Sequence, residues 1–293
     1  GSKRVTAKDY EQERVRIMSH SRRKFKISFV KQIIACILSL MVILPFVMVF
    51  LNSFKSESEA AFMNLSLPKS FKWENYLIAI ERGKLITSFF NSMIYSIAAT
   101  FISTIVNSMA AFVLSREKSK LNHFLYFFIV LGLVLPTNYI ALIKVMQALH
   151  LLNTRLGVIL FYAAMHVPFG TFILYGFVGT IPRELDEAAL IDGANAWNLF
   201  FKIVFPLLRP AVVTVALLTF LGVWNDFMTP LYLLNRASQW PMTLAVYNFF
   251  GQYQAEWNLI FADVVLTCLP VFIVYLFGQK HVVSGMTTGA IKG

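Results

Sequence analysis

Apolar runs of twenty or more residues are more than a soluble fold can hide, and this chain of 293 residues carries six segments of that kind. The hydrophobic share is 57% and the charged share only 14%, where a soluble domain carries about 25% charged residues. The expected fold is therefore an all-α membrane bundle with six spans, at about 30–51, 88–114, 121–145, 156–178, 211–234 and 259–278. A membrane domain over 29–281 would then follow a basic arm at 1–28 and precede a tail at 282–293.

The formal charge of +11 raises nucleic acid as a partner, and the placement of the charge argues against it. Lys and Arg gather in the amino-terminal arm, in the loop holding Arg116, Lys118 and Lys120, and near the carboxyl end. With six spans, 18 of the 26 fall on one side and 8 on the other. That bias predicts both termini in the cytoplasm of a multi-pass membrane protein. Cys36 and Cys268 fall within spans, where a thiol acts as a small apolar filler, and no metal or disulfide pattern follows from them.

Between the fourth and fifth spans lies a polar island, Ile181 to Pro210, far longer than the four to six residues a simple connection needs. Thr180 is placed to cap a helix whose first turn holds Glu184, Asp186 and Glu187, since carboxylates favour the positive end of the helix dipole. Gly193 supplies a stop, and Trp197, Phe200, Phe201, Val204 and Leu207 then resume a helical period that Pro206 and Pro210 must bend or end. Two short helices joined by a turn fit either an interfacial element resting on lipid headgroups or a knob entering a partner's groove. The acidic start disfavours the first, because headgroup-binding helices are usually basic.

Glu187, Ala188, Ala189, Asp192, Gly193, Ala194, Phe200, Ile203, Pro206 and Pro210 resemble the EAA signature of permease subunits in bacterial ABC importers, in the spacing of the carbohydrate, maltose-type second permease. The resemblance implies the type I permease fold, with this segment as the coupling helix seated in a cleft of a cytoplasmic ATPase. Glu187 and Asp192 would then be polar docking contacts and Gly193 the turn. It further implies a heterodimer with a second permease, two ATPase subunits and an extracytoplasmic solute-binding protein. This chain would carry no cofactor, ATP and Mg being held by the partner ATPase. Consistent with that, its terminal GMTTGAIKG is not a Walker motif, which needs four residues between its glycines and then Lys with Ser or Thr.

Polar residues at membrane depth mark a pathway or an interface. Ser92, Ser96, Thr100, Ser103 and Asn107 share one face of the second span, for which close helix packing is the commoner explanation. Asn138, beside Pro136 and Tyr139, marks a weak point in the third span. His166 is a candidate for a helix-to-helix hydrogen bond, and Trp224, Asn225 and Asp226, in the run WNDF, line a path or hold the bundle together. In the loop between the last two spans, Trp240, Tyr247, Asn248, Gln252, Tyr253 and Trp257 combine rings that stack on sugars with amides that bond hydroxyls. An aromatic belt at the bilayer surface draws on the same residues, whereas the resemblance favours contact with the binding protein or the sugar.

The function expected is thus a transport subunit forming half of a pathway for an oligosaccharide, a class that extends to acidic and polysaccharide-derived sugars. The same architecture also admits a peptide or amino-acid cargo. An intramembrane enzyme is disfavoured, since His166, Asp226 and Asp263 share no catalytic spacing.

Overall fold

The computed structural model describes residues 31–251 and 255–290. The basic arm at 1–28, Gln252, Tyr253 and the last three residues lie outside the described residues. Among the described residues there are helices, turns and one isolated antiparallel bridge between Phe250 and Ala255.

Helix α1 is Lys31–Ser53, the most apolar of the candidate spans, and its apolar window is wholly uncovered by the rest of the chain. Two short helices follow, α2 (Glu57–Ala60) and α3 (Glu74–Arg82). Then comes α4 (Leu85–Arg116), 32 residues without proline or glycine. At 1.5 Å per residue it is about 48 Å long, well beyond the roughly 30 Å of a hydrocarbon core. Helices α5 (Lys120–Leu131) and α6 (Tyr139–Ala148) come next, then α7 (Arg155–Met165) and α8 (Val167–Val178), which meet at a 40° bend.

The polar island folds as α9 (Glu184–Ile191), α10 (Ala196–Asn198), a π-helical turn over Leu199–Val204, and α11 (Phe205–Leu207). A 79° bend leads into α12 (Arg209–Asn225), followed by α13 (Met228–Leu233), α14 (Met242–Ala245) and the long α15 (Trp257–Ala290). Among the described residues, three helices are long and apolar enough to cross a membrane, and up to five crossings result if each bent pair counts as one.

The third expected span, 121–145, is not one helix. Gly132 ends α5, Pro136 lies in the break, and Asn138 starts α6 by accepting a hydrogen bond from Ala141 N at 3.1 Å. Because proline disfavours helical geometry in the residue before it, the chain turns there instead of continuing. The fifth expected span, 211–234, is likewise interrupted: α12 stops at Asn225, and Asp226 is extended with ψ 130°.

Three apolar clusters lie along α4. Ala111 joins Leu174, Val178, Leu199, Val204, Leu208 and Val215 at one end. Tyr95 and Ala99 meet Val158, Tyr162, Val223 and Leu233 farther along, and Leu85 packs with Ala79, Trp224, Phe249 and Ile260 at the other end. In lipid the hydrophobic effect does not draw helices together, so close approach must, and small residues permit it. Ser96, Ala99, Ser103, Asn107 and Ala111 are accordingly fully buried on α4. The shared polar face is thus covered by protein: Ser92 Oγ accepts from Met242 N at 2.9 Å, and Asn107 Nδ2 donates to His166 O at 3.3 Å.

Candidate functional site

The segment 181–210 forms a projecting knob. Its first helix ends in a reciprocal pair of hydrogen bonds, Gly193 N to Leu190 O at 3.0 Å and Ala194 N to Ala189 O at 2.9 Å. This is the Schellman arrangement, which requires the residue after the cap to be left-handed, and Gly193 has φ +80°. Asn195 then starts the second helix by accepting from Asn198 N at 2.9 Å. Thr180 does not cap the first helix: it donates to Phe177 O at 2.7 Å, and α9 begins only at Glu184. Pro182 intervenes between them, displacing the start by a turn.

The signature residues divide by direction. Ala189 and Phe200 are buried, and Ala194 and Ile203 pack against the same cluster. Phe200 lies 5.7 Å from the ring of Phe112 on α4 and 5.7 Å from that of Phe205. Glu187, Ala188, Asp192, Gly193 and Pro206 are exposed. So is a set of large apolar side chains, with Leu190, Ile191 (86% exposed) and Trp197 at the tip, and Trp197 stacks on Phe201 at 5.8 Å. An exposed apolar tip rimmed by carboxylates has the composition of a docking surface.

An ion pair holds the base of the knob. Arg116, the last residue of α4, sets Nε 2.6 Å from Asp186 Oδ2, with both side chains mostly buried. Its Nη1 donates to Ile181 O at 3.1 Å, while Arg183 Nη2 donates to Arg116 O at 3.1 Å. Two arginines thereby satisfy carbonyls that helix and turn ends leave open.

The membrane-depth candidates separate in the same way. Trp224 is buried and donates from Nε1 to Thr267 O at 3.3 Å, so it braces α12 against α15 and lines no open path. Asn225 is exposed, with Nδ2 donating to Leu221 O at 2.9 Å. Asp226 accepts from Met228 N at 3.0 Å through Oδ1, and its backbone carbonyl accepts from Thr243 Oγ1 at 2.9 Å. His166 forms the bend between α7 and α8. Its Nδ1 lies 2.9 Å from Tyr162 O, and its Nε2 sits so close to α12 that a Cβ at Gly222 would stand 2.8 Å from it. Asn138 is the exposed cap of α6.

In the loop before α15, Trp240 donates to Leu234 O at 3.3 Å and Asn248 to Gly83 O at 3.0 Å, so both brace the loop. Tyr247 stacks on Phe227 at 5.7 Å and remains 40% exposed; Trp257 packs edge-on to Phe250 at 6.1 Å.

One cluster escaped notice in the sequence. Lys55 is completely buried, and its ammonium donates to Asn52 Oδ1 (3.0 Å), Asn64 O (2.9 Å) and Asn64 Oδ1 (2.7 Å). Burial pulls its pKa below the ordinary lysine value, and the nearby Glu59 carboxylate opposes that shift. Asn75 ties the same turn down through Ser53 O (2.8 Å) and Lys55 O (2.9 Å), and Asn258 Nδ2 donates to Asn75 Oδ1 at 3.0 Å. The run NSFK, just past a span with polar residues on both sides of Phe54, was the available signal.

Residues 107–288 match the family described as binding-protein-dependent transport system inner membrane component. The chain is 35% identical over 258 residues to the probable starch degradation products transport system permease protein of Thermoanaerobacterium thermosulfurigenes, covering 87% of this chain and 94% of that relative. It is 34% identical to the diacetylchitobiose uptake system permease protein of Streptomyces coelicolor, over 87% and 85% of the two chains. A crystal structure of a bacterial ABC transporter involved in the import of the acidic polysaccharide alginate superposes with TM-score 0.76 over 89% of this chain and 97% of that one. At 23% identity, that likeness concerns the fold.

Proposed function

The chain belongs to the family of binding-protein-dependent transport system inner membrane components, and from that premise we propose that it forms half of a membrane pathway for an oligosaccharide. It is a transport component and not an enzyme, as its relatives are permeases. The sugar cargo is supported by the relatives' names, which refer to starch degradation products, diacetylchitobiose, and melibiose, raffinose and stachyose. A peptide or amino-acid cargo finds no support among them.

In this reading the partner set is a second permease, two ATPase subunits that hold ATP and Mg, and an extracytoplasmic binding protein. The uncovered apolar surface of α1 suits a helix completed by a neighbouring subunit or lipid. The knob faces the cytoplasm with both termini, as the concentration of Lys and Arg suggests. Closure of the ATPase pair on nucleotide draws the knob inward, and the bundle rocks from inward-open to outward-open.

The observation that carries the proposal is the knob itself, a helix pair with buried Ala189 and Phe200 and exposed Glu187, Ile191 and Trp197. Glu187→Lys should abolish the ATPase activity stimulated by sugar-loaded binding protein in the assembled complex while membrane insertion stays normal. Unchanged stimulation would reject the docking role.

A further inference from the structure

Movement at the knob must reach the opposite end of the bundle, and most routes along the chain are interrupted. Pro45 lies within α1, a break separates α5 from α6, α7 and α8 meet at 40°, α12 enters through a 79° bend and stops at Asn225, and Pro270 lies within α15. Each of these is a place where a displacement can be absorbed locally. Among the described residues, α4 is the one helix of membrane length with neither proline nor break.

Both ends of α4 are clamped, and by different chemistry. At the knob, Arg116 grips Asp186 and the carbonyl of Ile181, while Arg183 returns a hydrogen bond to the carbonyl of Arg116. At the other end, Asn91 Nδ2 donates to Ser238 O (3.0 Å) and Trp240 O (3.1 Å), Tyr95 Oη donates to Gln239 O (2.8 Å), and Ser92 Oγ accepts from Met242 N (2.9 Å). All three side chains are almost fully buried. Every one of these bonds goes to backbone, so the helix holds the path of loop 238–242 whatever side chains the loop displays. Twenty-five residues separate Asn91 from Arg116, about 37 Å of helix.

We propose that α4 is the rod that couples the knob to loop 238–242, with Arg116 as the positioning residue at one end and Asn91, Ser92 and Tyr95 as the grip at the other. This rests on the transport reading above. If loading of the binding protein is sensed at the loop and nucleotide closure at the knob, a stiff helix fixed to both makes the two events interdependent.

The test uses the complete complex in lipid nanodiscs, with ATPase activity measured alone and with the binding protein loaded from a starch hydrolysate. Arg116→Met should cut the stimulated component roughly tenfold and leave the basal rate within about twofold. Tyr95→Phe should act in the same direction, and the double variant should be no worse than the worse single, because both sever one link. Exchanging the charges, Arg116→Asp with Asp186→Arg, should restore part of the stimulation, because the ion pair returns while the hydrogen bond to Ile181 O does not.

Stiffness is tested separately by Phe101→Gly with Val106→Gly, two positions on α4 that are 66% and 44% exposed. Glycine is a poor helix former, and the pair should lower stimulation without lowering the basal rate. Full stimulation in an assembled glycine pair, full stimulation in Arg116→Met, or effects that multiply in the double variant would overturn the proposal. A parallel loss of basal and stimulated rates would also overturn it, by showing a structural role only. Failure of the transport reading looks different: the wild-type complex would then ignore the loaded binding protein altogether.

Discussion

Near the Leu85 end of α4, Lys55 is sealed from solvent with its ammonium directed at three oxygens, and Asn75 satisfies two carbonyls of the same turn. At the Arg116 end the knob does the reverse, leaving Ile191 86% exposed and Trp197 63% exposed. The first region spends buried polar groups on its own rigidity, since an unpaired buried donor or acceptor would be costly. The second uses only its inner face, Ala189, Leu199, Phe200 and Val204, to hold its shape. The contrast separates an end of the molecule that satisfies its own polar groups from one that leaves large apolar side chains exposed, the surface that the proposed function assigns to docking. It also explains how a signature can mix buried and exposed positions: four of the ten residues, Ala189, Ala194, Phe200 and Ile203, shape the knob and the other six are presented by it.

Substitutions that strike the two regions should therefore differ in kind. Lys55→Met leaves Asn52 Oδ1 without its donor and takes the ammonium from Asn64 O and Asn64 Oδ1, which keep only Asn52 Nδ2 and Ser66 as donors, a loss of about 3 kcal/mol for the charge-assisted bonds, and the melting temperature in detergent should fall by roughly 8 °C. A fall under 2 °C would mean that this turn is not self-sufficient. Gly193→Val forces a β-branched residue into left-handed geometry at about 1–2 kcal/mol, so the melting temperature should drop by roughly 4 °C. No Cβ contact lies within 4 Å there, and Gly193→Asn, which tolerates that geometry, should recover at least half of the drop. Ile191→Ser should change stability by less than about 0.5 kcal/mol, yet weaken capture of the ATPase subunit in a pull-down. Normal capture with normal stability would remove the contrast.

Much of this was readable from residue order. The apolar runs predicted α1 and α4 to within a few residues and the start of α15, whose helix continues past the expected end at 278 to Ala290, and Gly193 with the prolines predicted two short helices and a turn. What escaped depended on direction or on distant chain. Nothing in the run 121–145 distinguishes a kinked helix from two helices, because Pro136 is compatible with both; the outcome turned on Asn138 acting as a cap. Periodicity gave Ser92 a buried face but not its partner, the amide of Met242, 150 residues later. Trp224 and Asn225 are adjacent in sequence, yet one is buried and the other exposed, because the helix turns about 100° between them. Lys55 was counted as a loop charge, since its burial is created by Asn52, Asn64 and Asn75 converging on it from three segments.

The most direct measurement of the central claim is a cysteine cross-link from Ile191→Cys in a chain with Cys36 and Cys268 replaced by Ser. In the assembled complex the account predicts a covalent product with the ATPase subunit, formed at the knob and protected from a membrane-impermeant maleimide added outside cells. Labelling of that cysteine from outside, or a cross-link only to lipid, would contradict it.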